Sequence, residues 1–228
     1  MVSIIVPALN EGSHIRQTVR ALDELAGEKE IIVVDGGSSD DTVAIAKESG
    51  VTVLQCERGR GVQQHAGALR ARGDVLWFVH ADTIPPPHAL TDIFTALCDH
   101  AVAGGNFGLT FDGESRAARR LTAIYPTLRF LNLCYGDSGI FIRRSIYEQI
   151  GGFRPFALFE DLDLLKRVRK AGRFVHLNTR VVTSSRRFEN KNFALMWTQW
   201  TALQVLYWSG VPPNLLARWY RNARRVTG

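Results

Sequence analysis

The chain has 228 residues, 46% of them hydrophobic and 22% charged, with a net charge of +6. These values describe a globular protein and exclude a disordered tail protein, a collagen-like fibre and a disulfide-dense mini-domain. Residues 1–179 carry 20 basic and 21 acidic side chains, whereas 180–228 carry eight basic side chains and a single acid, Glu189; a nucleic-acid binder that is basic throughout is thereby excluded.

Residues 3–7, Ser-Ile-Ile-Val-Pro, read as a buried strand stopped by Pro7. Asn10 and Ser13 offer helix caps before the periodic residues Ile15, Val19, Leu22 and Leu25. A second buried strand, Glu30 to Val34, ends at Asp35 and a Gly36-Gly37-Ser38-Ser39-Asp40 turn, with Asp40 capping a helix over Thr42–Glu48. Val51–Gln55 is a third strand, a loop over Glu57–Gly61 leads into a helix reaching Ala71, and Asp74–Val79 is a fourth strand ending at His80-Ala81-Asp82. Four strands alternating with three helices predict a doubly wound parallel α/β sheet. Ligands of such sheets bind at the carboxyl ends of the strands, so Asn10, Glu11, Asp35, Arg60 and Asp82 are expected to converge.

The second half is less regular. Residues 104–111 read as a strand, Ser115–Leu133 as a helix broken near Pro126, Gly139–Arg143 as a strand and Arg144–Ile150 as a short helix. Phe159–Ala171 is a strong helix, and Arg173–Val182 contains a strand. Cys56, Cys98 and Cys134 form no CxxC pair and read as small buried thiols. The N-terminal run lacks a basic start and is not a signal peptide, so a cytoplasmic location is expected.

Several residues could carry chemistry. Asp82 can hold a divalent cation against a diphosphate, or act as a turn acid before Pro85-Pro86-Pro87. Asp35 can accept hydrogen bonds from a ribose or base, or serve its own glycine turn. Gly59-Arg60-Gly61 with Gln64 suits phosphate, or is a solvated loop. Glu160, Asp161 and Asp163 open a helix, where the helix dipole alone favours acids. A carboxylate there beside Phe153, Phe156 and Phe159 can also have the raised pKa of a general base. Gly136-Asp137-Ser138-Gly139 is a turn or an acceptor loop, and Arg186 and Arg187 can neutralise a diphosphate or belong to a solvated basic loop.

Together, Ser3 to Glu11, Glu30 to Asp40, His80-Ala81-Asp82 and Glu160-Asp161 resemble, in order and spacing over about residues 1–180, the family 2 glycosyltransferases of GT-A fold. Within that family the chain resembles small bacterial members, some linked to arsenosugar biosynthesis. The resemblance implies a Rossmann-like, mostly parallel central sheet with helices on both faces. It implies an inverting transfer from a UDP- or GDP-sugar to an acceptor hydroxyl, with Mn2+ or Mg2+ as cofactor. Pro7, Ala8, Asn10, Glu11, Asp35 and Gly37 would line the nucleoside pocket. Arg60, Gln64, Ala81 and Asp82 would flank the sugar-nucleotide, with Asp82, the last acid of the family's DxD motif, on the metal. Asp161 of the ED motif would be the base, with Gly136, Asp137 and Glu160 towards the acceptor and Arg186 and Arg187 on the diphosphate. His80 replaces the first acid of DxD, Gly36 stands where a second acid usually follows Asp35, and the QxxRW helix of processive synthases is missing. A sugar-phosphate nucleotidyltransferase would want a glycine-rich signature with a lysine where Pro7-Ala8-Leu9-Asn10 stands. A non-catalytic sugar-nucleotide-binding module is the other alternative, and the pair Asp82 and Asp161 argues against it.

The expected organisation is a catalytic unit over residues 1–191, divided at 82/83, and a helical appendage over 192–228. Asn192 to Ala217 contains no charged residue. Phe193, Leu195, Trp197, Trp200, Leu203 and Trp208 give the predicted helix a broad apolar surface, with Thr198, Thr201 and Gln204 as a narrow polar stripe. A second short helix follows Pro212-Pro213 and sets Leu215, Leu216 and Trp219 opposite Arg218, Arg221, Arg224 and Arg225. This segment is read as a cap on the catalytic unit or a homodimer contact, as a peripheral membrane contact, or as a span, against which its polar stripe argues.

Overall fold

The computed structural model describes residues 1–131, 133–188 and 192–226; the side chains of Arg187 and of residues 221–226 lie outside the described set. The first half runs β1 (Val2–Ala8), α1 (Ile15–Asp23), β2 (Lys29–Asp35), α2 (Thr42–Glu48), β3 (Thr52–Gln55), α3 (Arg60–Arg70), β4 (Val75–Phe78), β5 (Thr83–Ile84) and α4 (Ala89–Leu97). The second half runs β6 (Val102–Phe111), α5 (Arg116–Phe130), β7 (Ile140–Arg143), α6 (Arg144–Gln149), α7 (Glu160–Ala171), β8 (Arg173–Thr183), α8 (Phe193–Trp208) and α9 (Pro213–Val226).

One sheet of eight strands in the order β3-β2-β1-β4-β7-β6-β8-β5 spans the molecule. β3, β2, β1 and β4 are parallel neighbours, and β6 pairs in parallel with β8. β7 is antiparallel to both β4 and β6. β6 therefore runs in the direction of β1, and the carboxyl ends of β1, β2, β4, β6 and β8 share one edge. Along β1 and β4 the apolar residues alternate between two cores: Ile4, Val6 and Trp77 face α1, α4 and α5, whereas Ile5, Leu76 and Phe78 face α3, α6 and α7. Helices thus cover both faces, as expected of a mostly parallel sheet.

Several local expectations are corrected. α5 does not break at Pro126 but continues to Phe130; Ser115 caps it by accepting from the Ala118 amide at 3.0 Å, and buried Ala118 and Tyr125 anchor it. β5 and α4 follow the proline run, with Leu90, Ile93 and Leu97 buried. Neither Asn10 nor Ser13 caps α1, whose N-cap is His14. Asn10 is left-handed, with φ 55°, and its Oδ1 accepts from the Ser39 amide at 2.8 Å. Asp41, not Asp40, is the N-cap of α2, although Asp40 Oδ1 accepts from the Thr42 amide at 3.1 Å. Only Cys134 is buried; Cys98 is exposed and Cys56 half-buried, all three as free thiols.

The two C-terminal helices fold back on α7. Phe159, Leu203 and Leu216 form a small core with Leu162 and Tyr207 packed against it. The Ala157 amide donates to Asn214 Oδ1 at 3.1 Å, and the Tyr135 hydroxyl donates to Gln204 Oε1 at 3.3 Å. The predicted polar stripe divides: Gln204 is buried at this seam while Thr198 and Thr201 face outward. Among the described residues no helix is long and apolar enough to cross a membrane. Leu216 is fully buried in the seam, so Leu216→Ala is expected to cost about 2–5 kcal/mol in chemical denaturation and to speed proteolysis near Gly210.

Candidate active site

The carboxyl edge of the sheet gathers the predicted residues into two adjoining groups. The first lies between β1 and β2. Ala8 ends β1 and Asp35 ends β2, paired in register. The Asp35 carboxylate, fully buried, accepts from the Gly37 amide at 3.0 Å, the Ser38 amide at 3.1 Å and the Ser38 hydroxyl at 2.5 Å. It thus builds its own turn, and that turn is tied across to β1 because the Asn10 amide donates to Ser38 Oγ at 2.9 Å. Beneath it, Gln63 Nε2 donates to the carbonyls of Ala8 and Val34, both at 2.8 Å. Gln63 is the residue that sequence reasoning missed; its neighbour Gln64, the expected one, is also buried. Gln64 Oε1 is buried with no hydrogen-bond partner among the described residues. Pro7 is half-buried beside this group, and Gly37 is exposed at its rim.

The second group surrounds two arginines. Arg60 opens α3, and its Nη1 lies 3.5 Å from Glu160 Oε1. Burial works against the Arg60 charge, but Glu160, Asp161, Asp137 and Asp82 outweigh it and raise its pKa above the ordinary guanidinium value. Four acids from three separate segments therefore act on one cation. Arg186, in a 3₁₀ turn after β8, pairs with Glu11, donates to Asp82 Oδ2 at 3.4 Å and lies 3.0 Å from His14 Nδ1. Burial opposes its charge too, and Glu11 and Asp82 overcome that and raise its pKa. Ala81, beside Asp82, is buried, and its carbonyl accepts from Thr18 Oγ1 at 2.8 Å. The prediction for Arg187 falls on a side chain outside the described residues.

Asp161 is the most constrained acid of the set. It sits in the first turn of α7, 7% exposed. The Gly136 amide donates to its Oδ2 and the Leu162 amide to its Oδ1, each at 2.7 Å. Burial raises its pKa, and Arg60 and the two amides recover only part of that shift. Gly136 packs closely under this site: a Cβ there would lie 3.2 Å from His80 Nε2, a tight contact, and 3.5 Å from Asp161 Oδ2. Phe159, just before α7, holds a left-handed φ of 62°, a conformation that costs a non-glycine residue about 1–2 kcal/mol. Its ring, 4.9 Å from that of Tyr207, is fixed by the C-terminal helices.

Among the described residues no group of three or more His, Cys, Asp or Glu side chains could hold a metal ion. A divalent cation bound against a diphosphate needs only one or two protein carboxylates, with phosphate and water oxygens completing its shell. Asp82, in the turn between β4 and β5 and already paired with a cation, Arg186, fits that requirement.

The glycosyl transferase family 2 profile matches residues 3–154. The chain belongs to that family. A probable glycosyltransferase from Bacillus subtilis is 30% identical over 227 residues, covering 88% of this chain and 53% of the relative. The chain thus spans about half the length of that relative. Its fold matches a mannosyltransferase from Pyrobaculum calidifontis in complex with GDP-Man and Mn2+, with a TM-score of 0.67 and 18% identity over 90% of this chain and 61% of the other. It also matches glucosyl-3-phosphoglycerate synthase from Mycobacterium tuberculosis, solved with Mn2+, UDP and glucosyl-3-phosphoglycerate, with a TM-score of 0.65 and 21% identity over 93% and 81% of the two chains. These likenesses establish the GT-A fold.

Below the Gly136 turn lies a buried polar network. Asn106 Nδ2 donates to Ser138 Oγ at 2.9 Å, and Asn106 Oδ1 lies 2.6 Å from His176 Nδ1. Burial, with Arg129 and Arg169 nearby, lowers the His176 pKa to about 4. An unfolded histidine titrates near 6.5, so the unfolded chain binds more protons in between and stability is lost as pH falls from about 6.5 to 4. His176→Gln is expected to flatten that part of the curve of melting temperature against pH.

Proposed function

We propose that the chain transfers a sugar from a nucleoside diphosphate sugar, UDP- or GDP-linked, to an acceptor hydroxyl with inversion at the anomeric carbon. The observation that carries this reading is Asp161: a buried carboxylate with a raised pKa, fixed by two amides beside a guanidinium that also attracts Asp82. Family membership and the nucleotide ligands named for the similar structures agree with it.

The nucleoside occupies the cleft between the Asn10 and Asp35 turns, whose walls Gln63 holds at a fixed separation by bridging the ends of β1 and β2. Asp82 would hold a divalent ion, Mn2+ or Mg2+, whose charge would offset that developing on the leaving diphosphate. Arg186 exchanges its pairing with Glu11 and Asp82 for phosphate oxygens, and Arg60 faces the same charge from α3. Asp161 takes the proton of the acceptor hydroxyl as that oxygen attacks the anomeric carbon. The bond from that carbon to the diphosphate breaks with its electron pair on the diphosphate, and Asp161 later releases its proton to water. Asp137 and Glu160 border the acceptor side. The free thiols suit a reducing, cytoplasmic setting.

Donor hydrolysis and transfer over a panel of sugar-nucleotides with Mn2+ test the reading. Asp161→Asn is expected to lower turnover about 10²–10⁴-fold with UDP affinity unchanged; parental turnover would remove Asp161 as the base. In the parent, turnover falls with acid as Asp161 protonates, and the limb lies above the ordinary carboxylate value of about 3.9. The same variant is expected to melt above the parent at neutral pH, because burial opposes the ionised carboxylate, and that gain shrinks as pH falls through the raised pKa. Asp82→Ala is expected to abolish the Mn2+ dependence of UDP binding in calorimetric titration.

A further inference from the structure

A groove of about 410 Å³ lies away from the residues assigned so far, between the outer part of α5 and the last residues of β6 and β8. Its polar lining is Thr110, Arg119, Thr122 and Arg180, its apolar lining includes Phe111 and Pro126, and no acid lines it. α5 carries Arg116, Arg119, Arg120 and Arg129 and no Asp or Glu along its whole length.

A missing side chain lets Arg180, which lines the groove, approach Arg129, which lies behind it. A Cβ at Gly108 of β6 would come 2.7 Å from Arg180 Cγ and 3.2 Å from Arg129 Nη1. Arg129 is half-buried; its Nη2 donates to the Leu177 carbonyl at 2.7 Å, and its Nε is buried with no acceptor among the described residues. Burial, with repulsion from Arg180 adding to it, holds Arg129 below its ordinary pKa. Arg129 thus adds positive potential behind the groove, next to Arg180. The lining guanidinium groups, Arg119 and Arg180, share the groove with no carboxylate, and such groups call for an anion.

We propose that this groove binds the phosphate or carboxylate group of an organic anion, with Arg119 and Arg180 on the charge and Phe111 and Pro126 against an apolar body. The site stands apart from the Arg60 and Arg186 group but on the same edge of the sheet. The Phe111 ring packs edge-on to Phe188 at 5.5 Å, in the turn that carries Arg186. Thr110 and Thr122 line the same wall, although Thr122 Oγ1 already accepts from the Phe111 amide at 3.0 Å.

The test titrates the full chain with phenyl phosphate, inorganic phosphate and phenol by calorimetry, alone and in excess UDP with Mn2+. Phenyl phosphate is expected to bind saturably, more tightly than inorganic phosphate, and phenol not to bind. The double variant Arg119→Gln/Arg180→Gln, whose positions are exposed, is expected to weaken phenyl phosphate at least about tenfold, the loss of one charge-assisted contact, while its UDP affinity and melting temperature match the parent. Competition by UDP would place the anion in the donor cleft and overturn the proposal. Equal binding by parent and double variant, or no binding by the parent, would overturn it as well.

Discussion

One guanidinium organises the centre of this molecule. Arg60 stands at the start of α3, and four carboxylates, Asp82, Asp137, Glu160 and Asp161, act on it from the turn between β4 and β5, the turn before β7 and the first turn of α7. Carboxylates so gathered repel each other and resist burial. The arginine makes their assembly tolerable, and it leaves Asp161 still short of full compensation. The sheet topology then decides which residues meet. β4 and β7 are neighbours in the sheet although not in the chain, and β7 runs against β4, so an acid after residue 80 and another after residue 136 reach the same edge.

Much of this was legible from the chain itself. The strands of the first half are continuous apolar runs ending in polar residues, and a parallel sheet buried on both faces demands that pattern. The helix Thr42–Glu48 is found with its predicted ends. What escaped was decided by tertiary contacts. Asn10 has the chemistry of a cap, but Ser38 and Ser39 from the neighbouring turn engage it first. Pro126 removes one helical hydrogen bond, yet Ala118 and Tyr125, buried before it, and Leu128, packed on the core after it, hold α5 together. The helix after Pro85-Pro86-Pro87 follows directly on a run that cannot itself be helical, and only the burial of Leu90, Ile93 and Leu97 fixes its face. Gln63 and Gln64 are indistinguishable as letters; only the helix phase sends one of them to the strand ends.

The unequal distribution of charge acquires a structural meaning. The near-neutral first part contains the acids that crowd around Arg60, and the basic last part begins with Arg180 and Arg186 on the same edge of the sheet. Arg186 crosses from β8 to the first and fourth strands, so a residue from the end of the chain closes a site opened by its beginning. The outer face of α8, with Leu195, Val205 and Trp208 exposed, bears no charge, and the basic residues of the segment lie elsewhere.

Phe159 adds a constraint of a different kind. A left-handed backbone favours glycine, and here it is held by a large aromatic ring lodged against Tyr207 from α8. The turn that presents Asp161 and the C-terminal helices therefore form a matched pair. A chimera that joined this catalytic unit to the terminal helices of a relative would inherit the strained turn without its clasp. The strained turn and the terminal helices are expected to have drifted together.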